Sequence, residues 1–280
     1  MSNKGILICG LPCSGKTTFI AALWHTVFYK QTTTTLVLNS FPKNRSYINR
    51  LAKNWATFKP LDRTTLTENN QISLNVRDVG SGRNFDLNLP DLSGENWQNL
   101  WINRSCSDEI ANLVKNSDCV MLFIHADKII QPICIEIDQY DDDEVVVTDF
   151  KEWDPTKSPT QVVLVDMLQS ILQIREGETR ARLAIVISAW DKARATGLTP
   201  ETYLGSYFPL LKQYIDSSRK IGECKIFGVS AIGGDLEVAA ELTRIKEHSV
   251  ATERVQVVSG DIECKDLTLP IHWLISKNDE

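Results

Sequence analysis

The amino-acid sequence predicts an α/β fold of three layers, α/β/α, with a mainly parallel sheet and one antiparallel edge strand. Short apolar segments of strand length alternate with longer segments of helical periodicity, which is typical of parallel sheets covered by helices. One pair of segments with two-residue alternation surrounds a glycine turn and predicts the antiparallel strand. At 280 residues, 42% hydrophobic and 24% charged, the chain suits a single domain over residues 1–280.

The N-terminal segment predicts a strand, a loop and a helix. GILICG is apolar and ends in Gly10, a loop of small residues follows, and apolar residues recur at helical spacing over 17–29. Residues 31–67 are polar and rich in threonine. We therefore expect this segment to be mostly loop, with at most one amphipathic helix at 44–58.

The middle of the chain contains the clearest strand pattern. Apolar and polar residues alternate over 72–76 and 85–89 around the turn GSG, which predicts an antiparallel hairpin. Residues 96–116 carry apolar residues at helical spacing, and 120–124 form an apolar run that predicts a buried strand. Residues 128–157, with the acidic run DQYDDDE, predict an inserted hairpin or flap with an acidic tip.

The C-terminal half returns to alternating helices and strands. SPTQ matches a capping box at the start of a helix, and Thr199 followed by proline predicts the cap of another. The expected elements are a helix from residue 158 to about 177, a strand at 183–188, a helix after residue 199, a strand at 226–230 and a short helix at 269–275.

Charge and hydropathy exclude several classes of partner. With 30 basic and 36 acidic residues the net charge is −6, which gives no overall field to attract nucleic acid or an anionic membrane. No apolar run is long enough for a signal peptide or a membrane span. We therefore expect a cytoplasmic protein that binds neither nucleic acid nor membrane.

Residues 10–17, GLPCSGKT, match the pattern GxxxxGK[ST] between a predicted strand and a predicted helix, as a P-loop NTPase fold requires. Backbone amides of such a loop stabilise phosphate oxygens at the helix N-terminus. We expect Lys16 to bridge the terminal phosphates, Thr17 to bind Mg²⁺ and the Thr18 amide to reach the α-phosphate. The residues expected at the phosphates are Gly10, Pro12, Cys13, Ser14, Gly15, Lys16, Thr17 and Thr18.

Residues 91–95, DLSGE, directly follow the second strand of the predicted hairpin and contain the DxxG pattern. Asp91 at this position can hold Mg²⁺ through water, and the Gly94 amide can meet a γ-phosphate. The alternative is that Asp91 forms an Asx turn that caps the following helix.

Residues 188–191, SAWD, follow the strand at 183–188 as a base-recognition loop does. The Asp191 carboxylate can accept hydrogen bonds from both the ring N–H and the exocyclic amine of guanine, which adenine cannot satisfy. Ser188 begins this loop, and the amides at Ser230 and Ala231 can meet the guanine oxygen. The alternative role for Asp191 is a plain helix cap.

The ordered set GLPCSGKT, DLSGE, SAWD and VSA resembles the Ras-like (TRAFAC-class) P-loop GTPases across most of the chain. The segment GLPCSGKTTFIAALWHT is similar to the bacterial double-GTPase, GTPase-associated conflict-system group. The resemblance implies binding of GTP and GDP with Mg²⁺. It also implies a threonine ligand of Mg²⁺ ahead of the hairpin, for which we favour Thr65 over its neighbours Thr64 and Thr67.

Three positions depart from the pattern of the Ras-like class. Its base loop usually reads Asn/Thr-Lys-x-Asp, whereas this chain has Ser188 first and Ala189 in place of the lysine that packs on the base. Glu95 stands where many members have the glutamine that orients the attacking water. We therefore expect a weakened guanine preference and slow hydrolysis.

The sequence thus predicts a slow GTPase that acts as a nucleotide-controlled switch for a protein partner, with a nucleotide-dependent homo-oligomer as a further expectation. The predicted catalytic residues are Lys16, Gly94 and Glu95. A P-loop kinase for a nucleoside or small molecule is one alternative, although residues 128–160 contain no arginine for a lid. An interaction module that binds GTP without turnover is the other, and Glu95 favours it.

Overall fold

The computed structural model describes residues 2–42, 45–61, 70–132, 154–175 and 180–276. Its strands are β1 (Ser2–Cys9), β2 (Leu36–Ser40), β3 (Asn70–Asp78), β4 (Asn84–Asp91), β5 (Cys119–His125), β6 (Ala181–Ser188), β7 (Ile221–Ser230), β8 (Gln256–Ser259) and β9 (Ile262–Cys264). Its helices are α1 (Lys16–Tyr29), α2 (Ser46–Ala56), α3 (Gly94–Asn103), α4 (Asp108–Lys115), α5 (Thr160–Ile174), α6 (Trp190–Ala193), α7 (Pro200–Tyr207), α8 (Pro209–Ser217), α9 (Ala239–Lys246) and α10 (Leu269–Ile275).

These strands form one sheet in the order β2-β3-β4-β1-β5-β6-β7-β8-β9. The five central strands, β4 to β7 in that order, run parallel to one another. The predicted fold class, a mainly parallel sheet between helices, is therefore confirmed. Antiparallel strands extend both edges rather than one, because β2 pairs with β3 and β8 and β9 follow β7.

The sheet has a hydrophobic core on each face, as three layers require. Alternation along β1 directs Ile6 and Ile8 to the face covered by α1, α2 and α10. Leu7 and Cys9 face the opposite core, with α3, α4, α5, α7 and α8. Within the residues described, no helix combines the length and the apolar character that crossing a bilayer demands.

The structure corrects two of the expected element boundaries and leaves a third untested. The loop expected at 31–67 contains β2 as well as the helix α2. The helix expected at 96–116 is two helices, because Arg104 takes a left-handed conformation (φ 53°) and Ser107 caps α4 by accepting from the Ile110 amide. The acidic run of the expected insertion at 128–157 lies in residues 133–153, outside the described part of the chain.

The capping box expected in SPTQ is also absent, since α5 begins after Pro159 without a side-chain cap. Its polar residues bind other segments instead. The Thr160 hydroxyl accepts from the Ile130 amide at 2.8 Å, and the Gln161 side chain accepts from the Leu210 amide at 2.9 Å. The cap predicted at Thr199 is confirmed, because its hydroxyl accepts from the Thr202 amide.

Candidate functional site

A cavity of about 490 Å³ lies at the carboxyl ends of the central strands, the edge at which α/β sheets bind ligands. Its volume is in the range of small-molecule sites. The segments that line it are Pro12–Phe19, Leu92–Glu95, Ser188–Ala189, Asp191–Lys192, Ala231–Ile232 and Gly234–Glu237, with Leu61, Phe123, His125, Lys128 and Val229.

The loop between β1 and α1 needs its two glycines. Gly10 has φ +147°, and a Cβ there would lie 2.6 Å from the Phe123 carbonyl oxygen. Gly15 has φ +87°, and its Cβ would lie 2.9 Å from the Ser188 hydroxyl. Only glycine, which has no Cβ, adopts these positive φ angles without strain and avoids both close contacts. The loop therefore packs directly against β5 and β6 and ends at the N-terminus of α1.

Lys16 is the first residue of α1 and is 5% exposed. Its ammonium donates to the carbonyl oxygens of Gly10 at 2.8 Å and Leu11 at 3.1 Å and to the Ser14 hydroxyl at 3.2 Å. Thr17 and Thr18 follow it and line the cavity. The predicted phosphate-binding residues from Pro12 to Thr18 therefore share one cavity wall.

DLSGE lies against this loop from the other side. A Cβ on Gly94 would lie 2.5 Å from both the nitrogen and the Cα of Pro12, so the two backbones touch. Ser93 caps α3, because its hydroxyl accepts from the Glu95 amide at 3.1 Å. The cap suggested as an alternative for Asp91 is thus made by Ser93. Asp91 ends β4, but its side chain lies outside the described residues, as does Thr65.

SAWD joins the loop after β1 at the far end of the cavity. The Ser188 hydroxyl donates to the Ser14 carbonyl at 2.8 Å. Ala189 takes a left-handed conformation (φ 51°) and precedes the short helix α6. Asp191 is therefore in the first turn of α6, after the capping position, so the alternative role as a helix cap is not what the structure gives it.

Asp191 meets the loop after β7. Its Oδ1 accepts a hydrogen bond from the Ser230 hydroxyl, which also accepts from the Gly233 amide at 3.0 Å. Ala231 lines the cavity next to it. The residues that the sequence predicts for guanine recognition are thus brought together.

Sequence reasoning missed a charged cluster beside Asp191. The Lys192 ammonium lies 2.5 Å from Asp127 and 3.0 Å from Asp235, which ties together the loops after β5, β6 and β7. The hydrogen bonds that Lys192 donates to Asp127 and Asp235 raise the pKa of Lys192. His125 Nδ1 lies 2.6 Å from the other Asp127 oxygen, and burial lowers the pKa of His125. All these titratable side chains lie at or after the carboxyl ends of strands, which is the pattern that could have identified them.

Comparison with known families adds one match. The model of the Double-GTPase 1 family matches residues 7–274, a range that includes GLPCSGKT, DLSGE, SAWD and VSA in order. A search of curated proteins finds no match.

Proposed function

The chain belongs to the Double-GTPase 1 family, and on this basis we propose that it is a slow, Mg²⁺-dependent GTPase whose bound nucleotide controls a protein partner. The observation that carries the proposal is that the segments 12–19 and 92–95 and most residues of 188–192 and 229–237 line a single cavity. In a GTPase, the first two of these segments bind the phosphates and the last two bind the base.

The proposed nucleotide lies with its phosphates at the N-terminus of α1 and its base at Asp191. Lys16 stabilises the terminal phosphates, because its ammonium already lies in the loop that surrounds them. The Asp191 carboxylate accepts from the guanine edge, and the backbone at Ser230 and Ala231 meets the guanine oxygen. A small-molecule kinase does not require base-recognition residues such as Asp191, Ser230 and Ala231, so the lining of the cavity favours a GTPase.

Magnesium fits the residues available. Mg²⁺ in nucleotide sites keeps several waters and takes one or two protein oxygens besides the phosphates. Thr17 lines the cavity next to Lys16, and we propose that its hydroxyl and Thr65 supply these two oxygens while Asp91 holds the ion through water. Among the described residues, no group of three acidic, histidine or cysteine side chains is placed to hold a metal alone. When bound, the ion would neutralise the negative charge that develops on the phosphates during hydrolysis.

Slow turnover follows from the charges around Glu95. Its carboxylate accepts from the Ser93 hydroxyl at 2.5 Å at the N-terminus of α3. Among the described cavity residues the basic side chains are Lys16, Lys128 and Lys192, without an arginine. Arg104 stacks on Trp101 at 4.3 Å and pairs with Asp166. We therefore propose that a second copy or a protein partner supplies the missing cation.

Glu95→Ala should lower single-turnover hydrolysis of GTP about 100-fold with GTP affinity near that of the wild type, because a base for the attacking water is lost. The control is Glu109→Ala, which removes an acidic residue from the first turn of α4 and should leave the rate unchanged. Rates measured over a series of protein concentrations should rise with concentration. An equal rate in Glu95→Ala would remove Glu95 from the mechanism.

Gly94→Ala should lower affinity for GTP at least about tenfold, because the added methyl group cannot fit 2.5 Å from the Pro12 backbone and the two loops must separate. Gly205→Ala is the matched control, since Gly205 lies in α7 with open space at its Cβ. Titration calorimetry of both variants tests this. Wild-type affinity in Gly94→Ala would contradict the close approach of these loops.

The function itself is tested with a panel of GTP, GDP, ATP and ADP, each with and without Mg²⁺. Preference for the guanine nucleotides, with Mg²⁺ required for tight binding of GTP, supports the proposal, whereas preference for adenine nucleotides would support the kinase. Tight GTP binding with no hydrolysis at any protein concentration would support the interaction module without turnover.

A further inference from the structure

Helix α2 packs against α1 and ends beside the loop after β7. Trp55 is in its last turn and is 3% exposed. The indole N–H of Trp55 donates to the carbonyl oxygen of Ala231 at 2.9 Å. Ala231 lines the cavity beside Asp191, so a side chain from α2 fixes the backbone that the base is proposed to meet.

Arg254 holds Trp55 in this position. Its guanidinium lies 4.3 Å from the Trp55 ring and 4.2 Å from the Phe58 ring, and it donates to the Trp55 carbonyl at 2.6 Å. Arg254 is 6% exposed, and burial lowers its pKa to about 10. Within the described part of the chain no carboxylate pairs with it, so aromatic faces and carbonyl oxygen stabilise this buried cation.

The backbone of Arg254 also contacts the loop after β7 directly. Gly233 has φ +91°, and a Cβ there would lie 2.6 Å from the Arg254 carbonyl oxygen. The Gly233 amide donates to the Ser230 hydroxyl, which in turn donates to Asp191. Arg254 therefore touches Trp55 with its side chain and the loop with its backbone, and the loop has little freedom between them.

We propose that Trp55 is a positioning residue for guanine recognition, which it serves by fixing Ala231 through the indole hydrogen bond. The proposal rests on the proposed function. It gives this chain a restraint on the base site that compensates for Ala189, where the lysine that packs on the base is missing. The same contact joins the base site to the chain that follows α2, in which Leu61 lines the cavity.

The substitution Trp55→Phe tests the proposal, because it keeps an aromatic ring beside Arg254 and removes the N–H. Affinities for GTP, ITP and ATP are measured by titration calorimetry. Hypoxanthine keeps the 6-oxo group of guanine and lacks the exocyclic amine that Asp191 is proposed to bind. We expect GTP and ITP to weaken together by about tenfold, the effect of one hydrogen bond, with ATP unchanged.

Trp24→Phe is the matched control, since Trp24 is buried in the same α1–α2 interface and its N–H donates to the Asn49 side chain at 2.8 Å. It should keep the wild-type ratio of GTP to ATP affinity. Arg254→Lys keeps the charge but loses the planar stacking, and it should lower the same ratio even if Trp55→Phe does not fold.

Equal loss of GTP and ATP affinity in Trp55→Phe, or an unchanged ratio in Trp55→Phe or Arg254→Lys, would overturn the positioning role. A wild-type protein without preference for GTP over ATP would instead overturn the proposed function. The two failures are therefore distinguished by the wild-type measurement.

Discussion

Lys16→Ala should abolish detectable binding of Mg²⁺·GTP while the protein stays folded. The lysine ammonium is the charge proposed to bridge the terminal phosphates, and a methyl group leaves phosphate charge uncompensated in a largely closed loop. The substitution also removes the hydrogen bonds to Gly10, Leu11 and Ser14. One of these acceptors, Ser14, lines the cavity, and water that enters the space left by the lysine can bind all three, so the loss in stability should be small.

Calorimetry with GTP and circular dichroism on thermal unfolding measure the two parts of this result. Lys212→Ala serves as the control, because it removes the same charge from the exposed face of α8, where Lys212 pairs with Asp216. Wild-type affinity for GTP in Lys16→Ala would show that the loop at 10–17 does not bind the phosphates.

Asp191→Asn should exchange guanine preference for xanthine preference. The amide presents an N–H donor where guanine also presents donors, so GTP affinity should fall about 100-fold as buried groups lose their partners. Xanthine carries an acceptor at that edge and should bind the variant better than guanine does. The asparagine oxygen can still accept from the Ser230 hydroxyl, so the loop after β7 should keep its place.

Competition between GTP and XTP for the variant gives the preference directly. Asp235→Asn is the matched control: it makes the same change to a carboxylate that lines the cavity but pairs with Lys192, and it should gain no xanthine preference. A GTP preference retained by Asp191→Asn would remove Asp191 from base recognition.

The parallel core of the sheet and the order of its elements were predictable because continuous apolar runs of strand length alternate with segments of helical period. The short edge strands show neither pattern. β2 has five residues within a threonine-rich segment, and β8 and β9 have four and three, so none extends over enough residues to establish a period. The break between α3 and α4 lies at Arg104, which takes a left-handed conformation. Arginine does not favour this conformation, so the sequence does not predict the break.

The candidate site also has a part that the sequence predicts and a part that it does not. Residues within a motif, such as Lys16, Gly94 and Asp191, could be predicted from the sequence because the chemistry fixes their local spacing. The contacts between motifs were not. The bond from Trp55 to Ala231 and the pairing of Lys192 with Asp127 join residues far apart along the chain, and no local pattern records which loops meet in space.

The bond from the Ser188 hydroxyl to the Ser14 carbonyl has an energetic consequence for the cavity. It connects the loop proposed for the base to the loop proposed for the phosphates through one buried side chain. A nucleoside without phosphates contacts only one of the two linked loops, and so does a phosphate without a base. Because the loops are linked, binding of either fragment still includes the entropic cost of ordering both loops. The free energy of binding a whole nucleotide is therefore not the sum of the free energies of binding its two parts.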